Sequence, residues 1–158
     1  MTDTLATEVL ALARTAGVMI ATAESCTGGL VVGALTAIPG SSDVVDRGFV
    51  TYSNAAKREM LGVAADTLNA HGAVSEEVAA EMALGALSHS GAGLAVSITG
   101  IAGPGGSEFK PEGRVCFGIA RNGGTPRTET IEFGPLGRAE VRAASVQHAL
   151  ILLRDALI

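Results

Sequence analysis

The sequence predicts an α/β fold, a three-layer α/β/α sandwich on a mixed β-sheet, in one domain covering residues 1–158. Helical and strand-like apolar patterns alternate as far as Ile98, a hairpin signal follows around Asn122-Gly123-Gly124, and a long helical pattern closes the chain. Alternation asks for parallel strands joined by crossover helices, and the late hairpin adds antiparallel strands to the same sheet.

The elements follow in order. Leu5, Val9, Leu10, Leu12 and Ala13 recur at helical spacing over residues 4–16, with Asp3 or Thr4 as cap and Gly17 as stop. Gly17-Val18-Met19-Ile20-Ala21 reads as a buried strand, and Leu30 to Ile38 as a helix that ends at Pro39-Gly40. A second strand is expected at Gly48-Phe49-Val50-Thr51-Tyr52, then a helix capped by Ser53 or Asn54 and stopped by Gly62. The stretch containing His71-Gly72 reads as a linker. Ser75 with Glu76 and Glu77 in the first turn opens a helix that turns Val78, Met82, Ala83 and Leu87 inward. Leu94 to Ile98 is a strand, residues 113–120 and 127–133 form the hairpin, and a final helix begins near Arg138.

The chain has 158 residues, enough to bury roughly 70% of its unfolded surface without a metal or disulfide. Hydrophobic residues make up 47%, with 21 Gly, no Trp and one Tyr, which suits small-residue packing between helices and sheet. A net charge of -5 with no basic run argues against nucleic acid as a partner. Cys26 and Cys116 belong to no CxxC or Cys/His cluster, so no metal is expected and reduced thiols in a cytoplasmic protein are the simplest reading. No signal peptide and no apolar run of membrane-spanning length is expected. The sequence is compatible with a homo-oligomer but does not set an oligomeric state.

Chemistry concentrates in Thr22-Ala23-Glu24-Ser25-Cys26-Thr27-Gly28-Gly29, a strand-to-helix turn crowded with hydroxyl and thiol groups. Main-chain N–H groups in such a turn favour an anion or a developing oxyanion, a role expected at Gly28-Gly29. Against nine Arg the chain has two Lys, Lys57 and Lys110. Arg stays protonated, whereas a desolvated Lys can act as a base. Lys57 follows Tyr52, the sole tyrosine, on a short helix, and a Ser-Lys-Tyr set is one way to perform acyl transfer. Bringing the lysine pKa from about 10.4 toward 7 requires roughly 4.6 kcal/mol from the site. The competing reading of Lys57 is a solvated helix residue.

Ser53 also lies four residues before Lys57, but capping is its simpler role. Cys26 is intrinsically the stronger nucleophile, yet His71, His89 and His148 are not placed to activate it, and it reads as a small buried filler. The glycine-rich loop Thr99 to Gly106 lacks the P-loop and dinucleotide spacings and reads as a ligand cradle, with a flexible crossover as the alternative. Arg138 and Arg142, one turn apart, could hold a phosphate at a helix N-terminus or lie on the surface.

Thr22 to Gly29, Pro39-Gly40-Ser41-Ser42, Val50 to Lys57, His71 to Glu77 and Ile98 to Gly106 together resemble the C-terminal domain of the competence/damage-inducible CinA proteins, a domain that also occurs alone as a nicotinamide-nucleotide amidohydrolase. The resemblance implies deamidation of nicotinamide mononucleotide to nicotinic acid mononucleotide and ammonia. It implies no cofactor and no metal, with Ser25 as nucleophile, Lys57 as base and Tyr52 assisting proton movement. Thr27, Gly28, Gly29, Thr99, Gly100, Gly103, Arg138 and Arg142 are the residues expected to meet the small-molecule nucleotide. Family members usually read Lys-Pro-Val-Gly-Thr-Val where this chain has Lys110-Pro111-Glu112-Gly113-Arg114-Val115. Two charges beside the glycine loop could alter substrate entry or affinity. The alternative function, from another class, is a catalytically silent nucleotide-binding or assembly domain.

Overall fold

Large apolar residues alternate with small ones along the central strands, and that alternation sets the distance to each helical layer. The structure, a computed structural model, describes residues 2–107 and 109–158. Its elements are α1 (Thr2–Ala16), β1 (Ile20–Glu24), α2 (Leu30–Thr36), β2 (Val45–Val50), α3 (Asn54–Leu61), α4 (Ala65–His71), α5 (Glu76–Ser88), β3 (Leu94–Gly100), β4 (Arg114–Arg121), β5 (Arg127–Glu132) and α6 (Arg138–Leu157). One five-stranded sheet has the order β2-β1-β3-β4-β5. The β1 strand pairs in parallel with β2 and β3, while β3–β4 and β4–β5 are antiparallel. The expected three-layer α/β/α arrangement on a mixed sheet is therefore present.

On one face, Ile20, Val96, Ile98 and Phe117 of the sheet pack with Leu10 of α1, Leu35 of α2, and Leu150 and Leu153 of α6. On the other, Ala21, Ala23 and Ala95 meet Leu61 of α3 and Val78, Met82 and Ala86 of α5. Small residues on this second face let α5 come down onto the sheet. Ser97 and Gly118 are cross-strand partners, and Ser97 Oγ donates to Ala79 O of α5 at 2.6 Å. A Cβ on Gly118 would lie 2.5 Å from that same carbonyl oxygen, so only glycine fits.

Several boundaries differ from the sequence reading. The first strand is Ile20–Glu24, not residues 17–21, because Thr22 and Glu24 are wholly buried despite being polar. The second is Val45–Val50, so Thr51 and Tyr52 leave the sheet and point the chain toward α3. The α2 helix stops at Thr36. The stretch read as a linker holds a helix, α4, in which Leu68 alone is buried. Its start is secured from α5: Glu81 accepts from Ala64 N at 2.8 Å and from Thr67 Oγ1 at 2.5 Å. A helix with one buried contact and a cap from a distant element leaves no periodic signal.

Chain direction positions the site. From β1 the chain moves to β2 on one side and later returns to β3 on the other, so the loops after β1 and β3 diverge. Crevices in α/β sheets form at such a switch, outside the carboxyl ends of the strands. Ser25 directly follows β1, and Ile101 to Gly106 directly follow β3.

Candidate active site

The carboxyl ends of β1, β2 and β3 converge on a cleft of about 390 Å³. Ser25 and Lys57 lie at its base, Tyr52 and Arg138 on one rim, and the glycine-rich loop forms a wall. Backbone contacts hold Ser25 in place: its N–H donates to Ile98 O at 2.9 Å, and the neighbouring Glu24 O accepts from Thr51 N at 2.8 Å. The strands on either side of β1 thus clamp the Ser25 turn.

Lys57 is 1% exposed although it lies on the short helix α3. Its Nζ donates to Ser25 Oγ at 3.0 Å and to Thr51 O at 3.1 Å. Ser53 is the α3 cap, its Oγ accepting from Ala56 N at 3.0 Å, so this hydroxyl is spent on the backbone. The helix starts where β2 ends, which brings Lys57 back under Ser25, and α5 packs against its far side at Gly85. The structure therefore brings together Ser25 and Lys57, separated by 32 positions in the sequence.

Glu24 was not singled out by the sequence reading, and it organises the turn. Its buried carboxylate accepts from Thr27 Oγ1 at 2.6 Å, Val31 N at 2.9 Å and Val32 N at 3.1 Å. The N-terminal amides of α2 are satisfied by this internal anion. The only signal for it in the sequence is an acid at the end of a strand just before a helix start. Thr27 is consequently a buried partner of Glu24. The Gly28 N–H donates to Ser25 O at 3.0 Å, so it is committed to closing the turn and is not open to an oxyanion. Gly29 caps α2 at φ 102, a conformation that disfavours side chains, with Val50 against it.

Arg138 and Arg142 separate in role. Arg142 lies away from the cleft lining, and its Nε donates to Cys26 O at 3.1 Å, bracing the turn from behind. Arg138 is at the cleft, donating to Gly103 O at 2.8 Å and to Tyr52 Oη at 2.8 Å. Thr99, Gly100 and Gly103 all line the cleft, and the Thr99 hydroxyl donates to Ala73 O at 2.8 Å. Asn54, which the sequence suggested only as a cap, also lines it.

The alternative nucleophile is disfavoured by its surroundings. Burial pushes the Cys26 thiol up to about 11, which keeps it protonated at neutral pH. None of the three histidines belongs to the cleft lining among the described residues. His148 instead bonds Glu129 and packs edge-on against Phe117, and His89 Nδ1 pairs with Gly85 O at 2.8 Å.

Among the described residues no group of three or more His, Cys, Asp or Glu is placed to hold a metal, and no helix is long and apolar enough to cross a membrane.

Known proteins share this arrangement of sequence and fold. The chain is 50% identical over 154 residues to the nicotinamide-nucleotide amidohydrolase PncC of Enterobacter agglomerans, covering 97% of this chain and 92% of that protein. A CinA-like protein of Chlorobium phaeobacteroides (strain BS1) is 61% identical over 120 residues, covering 74% of this chain but 29% of the relative, so the chain corresponds to less than a third of that protein. The crystal structure of the competence/damage inducible protein CihA from Agrobacterium tumefaciens superposes with a TM-score of 0.94 at 51% identity, covering 99% of this chain and 94% of that one. A CinA superfamily protein from Klebsiella pneumoniae 700603 does so with a TM-score of 0.95 at 39% identity, covering 99% and 98%. Residues 2–157 match the CinA C-terminal domain. The chain belongs to the CinA C-terminal domain family.

Proposed function

We propose that the chain is an amidohydrolase that converts nicotinamide mononucleotide to nicotinic acid mononucleotide and ammonia through an acyl-enzyme on Ser25. The observation that carries this reading is the buried 3.0 Å contact between Lys57 Nζ and Ser25 Oγ at the base of an open cleft. The 50% identity to a nicotinamide-nucleotide amidohydrolase over nearly the whole chain supports the substrate class.

In the reactive state Lys57 is neutral and the contact reverses, with Oγ–H donating to the Nζ lone pair. Thr51 O accepts one of its remaining hydrogens. Ser25 Oγ attacks the carboxamide carbon while its proton passes to Nζ. Charge that develops on the carboxamide oxygen is met by main-chain amides of the turn other than those of Ser25 and Gly28, which donate to Ile98 O and Ser25 O. The tetrahedral intermediate collapses, the C–N bond breaks, and ammonia leaves with a proton from Lys57, assisted by Tyr52. Water then attacks the ester, with Lys57 again taking a proton, and releases the carboxylate and Ser25.

Thr99, Gly100, Gly103 and Arg138 contact the nucleotide in this proposal, Arg138 placing its cation toward the phosphate. Thr27, Gly28, Gly29 and Arg142 act through the shape of the turn. The test is ammonia release from purified protein with nicotinamide mononucleotide. Wild type turns over, whereas Ser25→Ala and Lys57→Ala each lose at least about a hundredfold in kcat while remaining folded. Saturable binding of the mononucleotide without product would replace this reading with a silent binding domain.

A further inference from the structure

Glu112 bonds two separate segments beside the cleft through its two carboxylate oxygens. Glu112 Oε1 accepts from Gly105 N at 2.7 Å and Oε2 accepts from Gly137 N at 3.0 Å. Gly105 belongs to the glycine-rich wall of the cleft, and Gly137 is the N-cap of α6, immediately before Arg138. One carboxylate thus joins two walls of the cleft.

The same loop is gripped from its other side. Arg138 donates to Gly103 O at 2.8 Å, so the loop gives a carbonyl to the base and an N–H to the acid. Gly103 is also the position where a Cβ would come within 2.5 Å of Glu112 Cδ, which leaves the loop close against the acid.

We propose that Glu112 is a positioning residue that clasps the glycine-rich loop to the start of α6 and so holds the substrate-binding wall and Arg138 in register before the nucleotide arrives. Glu112 does not touch the reacting atoms. Without the clasp, substrate must order the loop on binding, which raises KM and leaves the chemistry at Ser25 intact. Both donors are N–H groups, so the two variants grade the effect. Gln has one acceptor oxygen and would turn its amide hydrogens on the other N–H, whereas Val has no acceptor.

The inference rests on the proposed amidohydrolase reading for its kinetic part alone. The experiment compares wild type, Glu112→Gln and Glu112→Val by amide hydrogen exchange over residues 101–107 and 134–140 and by steady-state kinetics on nicotinamide mononucleotide. Glu112→Val exchanges faster in both segments and Glu112→Gln faster in one. KM rises about tenfold in Glu112→Gln and further in Glu112→Val, with kcat within about twofold of wild type. Unchanged exchange in a folded Glu112→Val protein overturns the clasp. Faster exchange with KM unchanged, or a fall in kcat at constant KM, overturns the positioning role. A wild type that releases no ammonia overturns the amidohydrolase reading, and the exchange data then decide the clasp by themselves.

Discussion

Two adjacent residues at the end of β1 show how burial assigns roles. Ser25 and Cys26 are both nearly inaccessible, but Ser25 has an amine 3.0 Å away, while the Cys26 thiol is held near 11 chiefly by burial. At pH 8 a group with that pKa is ionised in about one molecule in a thousand. Native protein at pH 8 is accordingly expected to resist alkylation by iodoacetamide at Cys26, and urea-unfolded protein to react readily, as mass spectrometry of the Cys26 peptide would register. The sign for stability follows from the raised value: below about 9.0 both states hold the thiol proton, and between 9.0 and about 11 the unfolded chain gives it up first. This contribution to stability is therefore lost as pH rises through that window. Glu24 carries the complementary lesson. Glu24→Gln keeps size but replaces one acceptor oxygen with a donor facing Val31 or Val32 N–H, so denaturant unfolding should find it roughly 1–3 kcal/mol less stable.

At the scale of elements, α5 governs the second face. It packs on Ala95, Ser97 and Gly118 of the sheet and on α3, whose Lys57 reaches the cleft. The contact with α3 is close: a Cβ on Gly85 would fall 2.0 Å from Leu61 O, a main-chain atom that cannot swing aside. Gly85→Ala should therefore push α3 from α5, costing roughly 1–3 kcal/mol by thermal or denaturant unfolding and lowering activity through displaced Lys57. Helix propensity alone would predict the opposite sign, since alanine is favoured over glycine in a helix interior. Close approach overrides propensity here. The element that escaped the sequence reading, α4, escaped for a related reason: its cap comes from Glu81 and its burial from Leu68, both tertiary effects.

Across the whole molecule, the two faces divide labour. The large apolar face, built on α1, α2 and α6, supplies most of the burial, and the small-residue face brings in α3, the helix that carries Lys57. Leu150, wholly buried in α6 on the first face, lies outside the cleft lining. Leu150→Ala is expected to lower unfolding free energy by about 2–5 kcal/mol while leaving KM and kcat of the folded fraction near wild type. A large kinetic change in that variant would mean that the first face does more than support the sheet.

The sequence by itself determined the fold class, the caps Ser53 and Ser75, the hairpin and the crowded turn at Ser25, because each is written in local pattern or turn chemistry. It also offered Lys57 as a candidate base, through the scarcity of lysine among the cations, beside the reading of a solvated helix residue. Only the tertiary structure decided that Lys57 is buried against Ser25, that Gly28 N–H and Arg142 are spent on the turn, and that Glu24 and Glu112 each satisfy main-chain amides. These contacts join residues from different elements. Their partners are set by which strands lie side by side, and hydrogen-bonding groups carry no periodic mark along the chain.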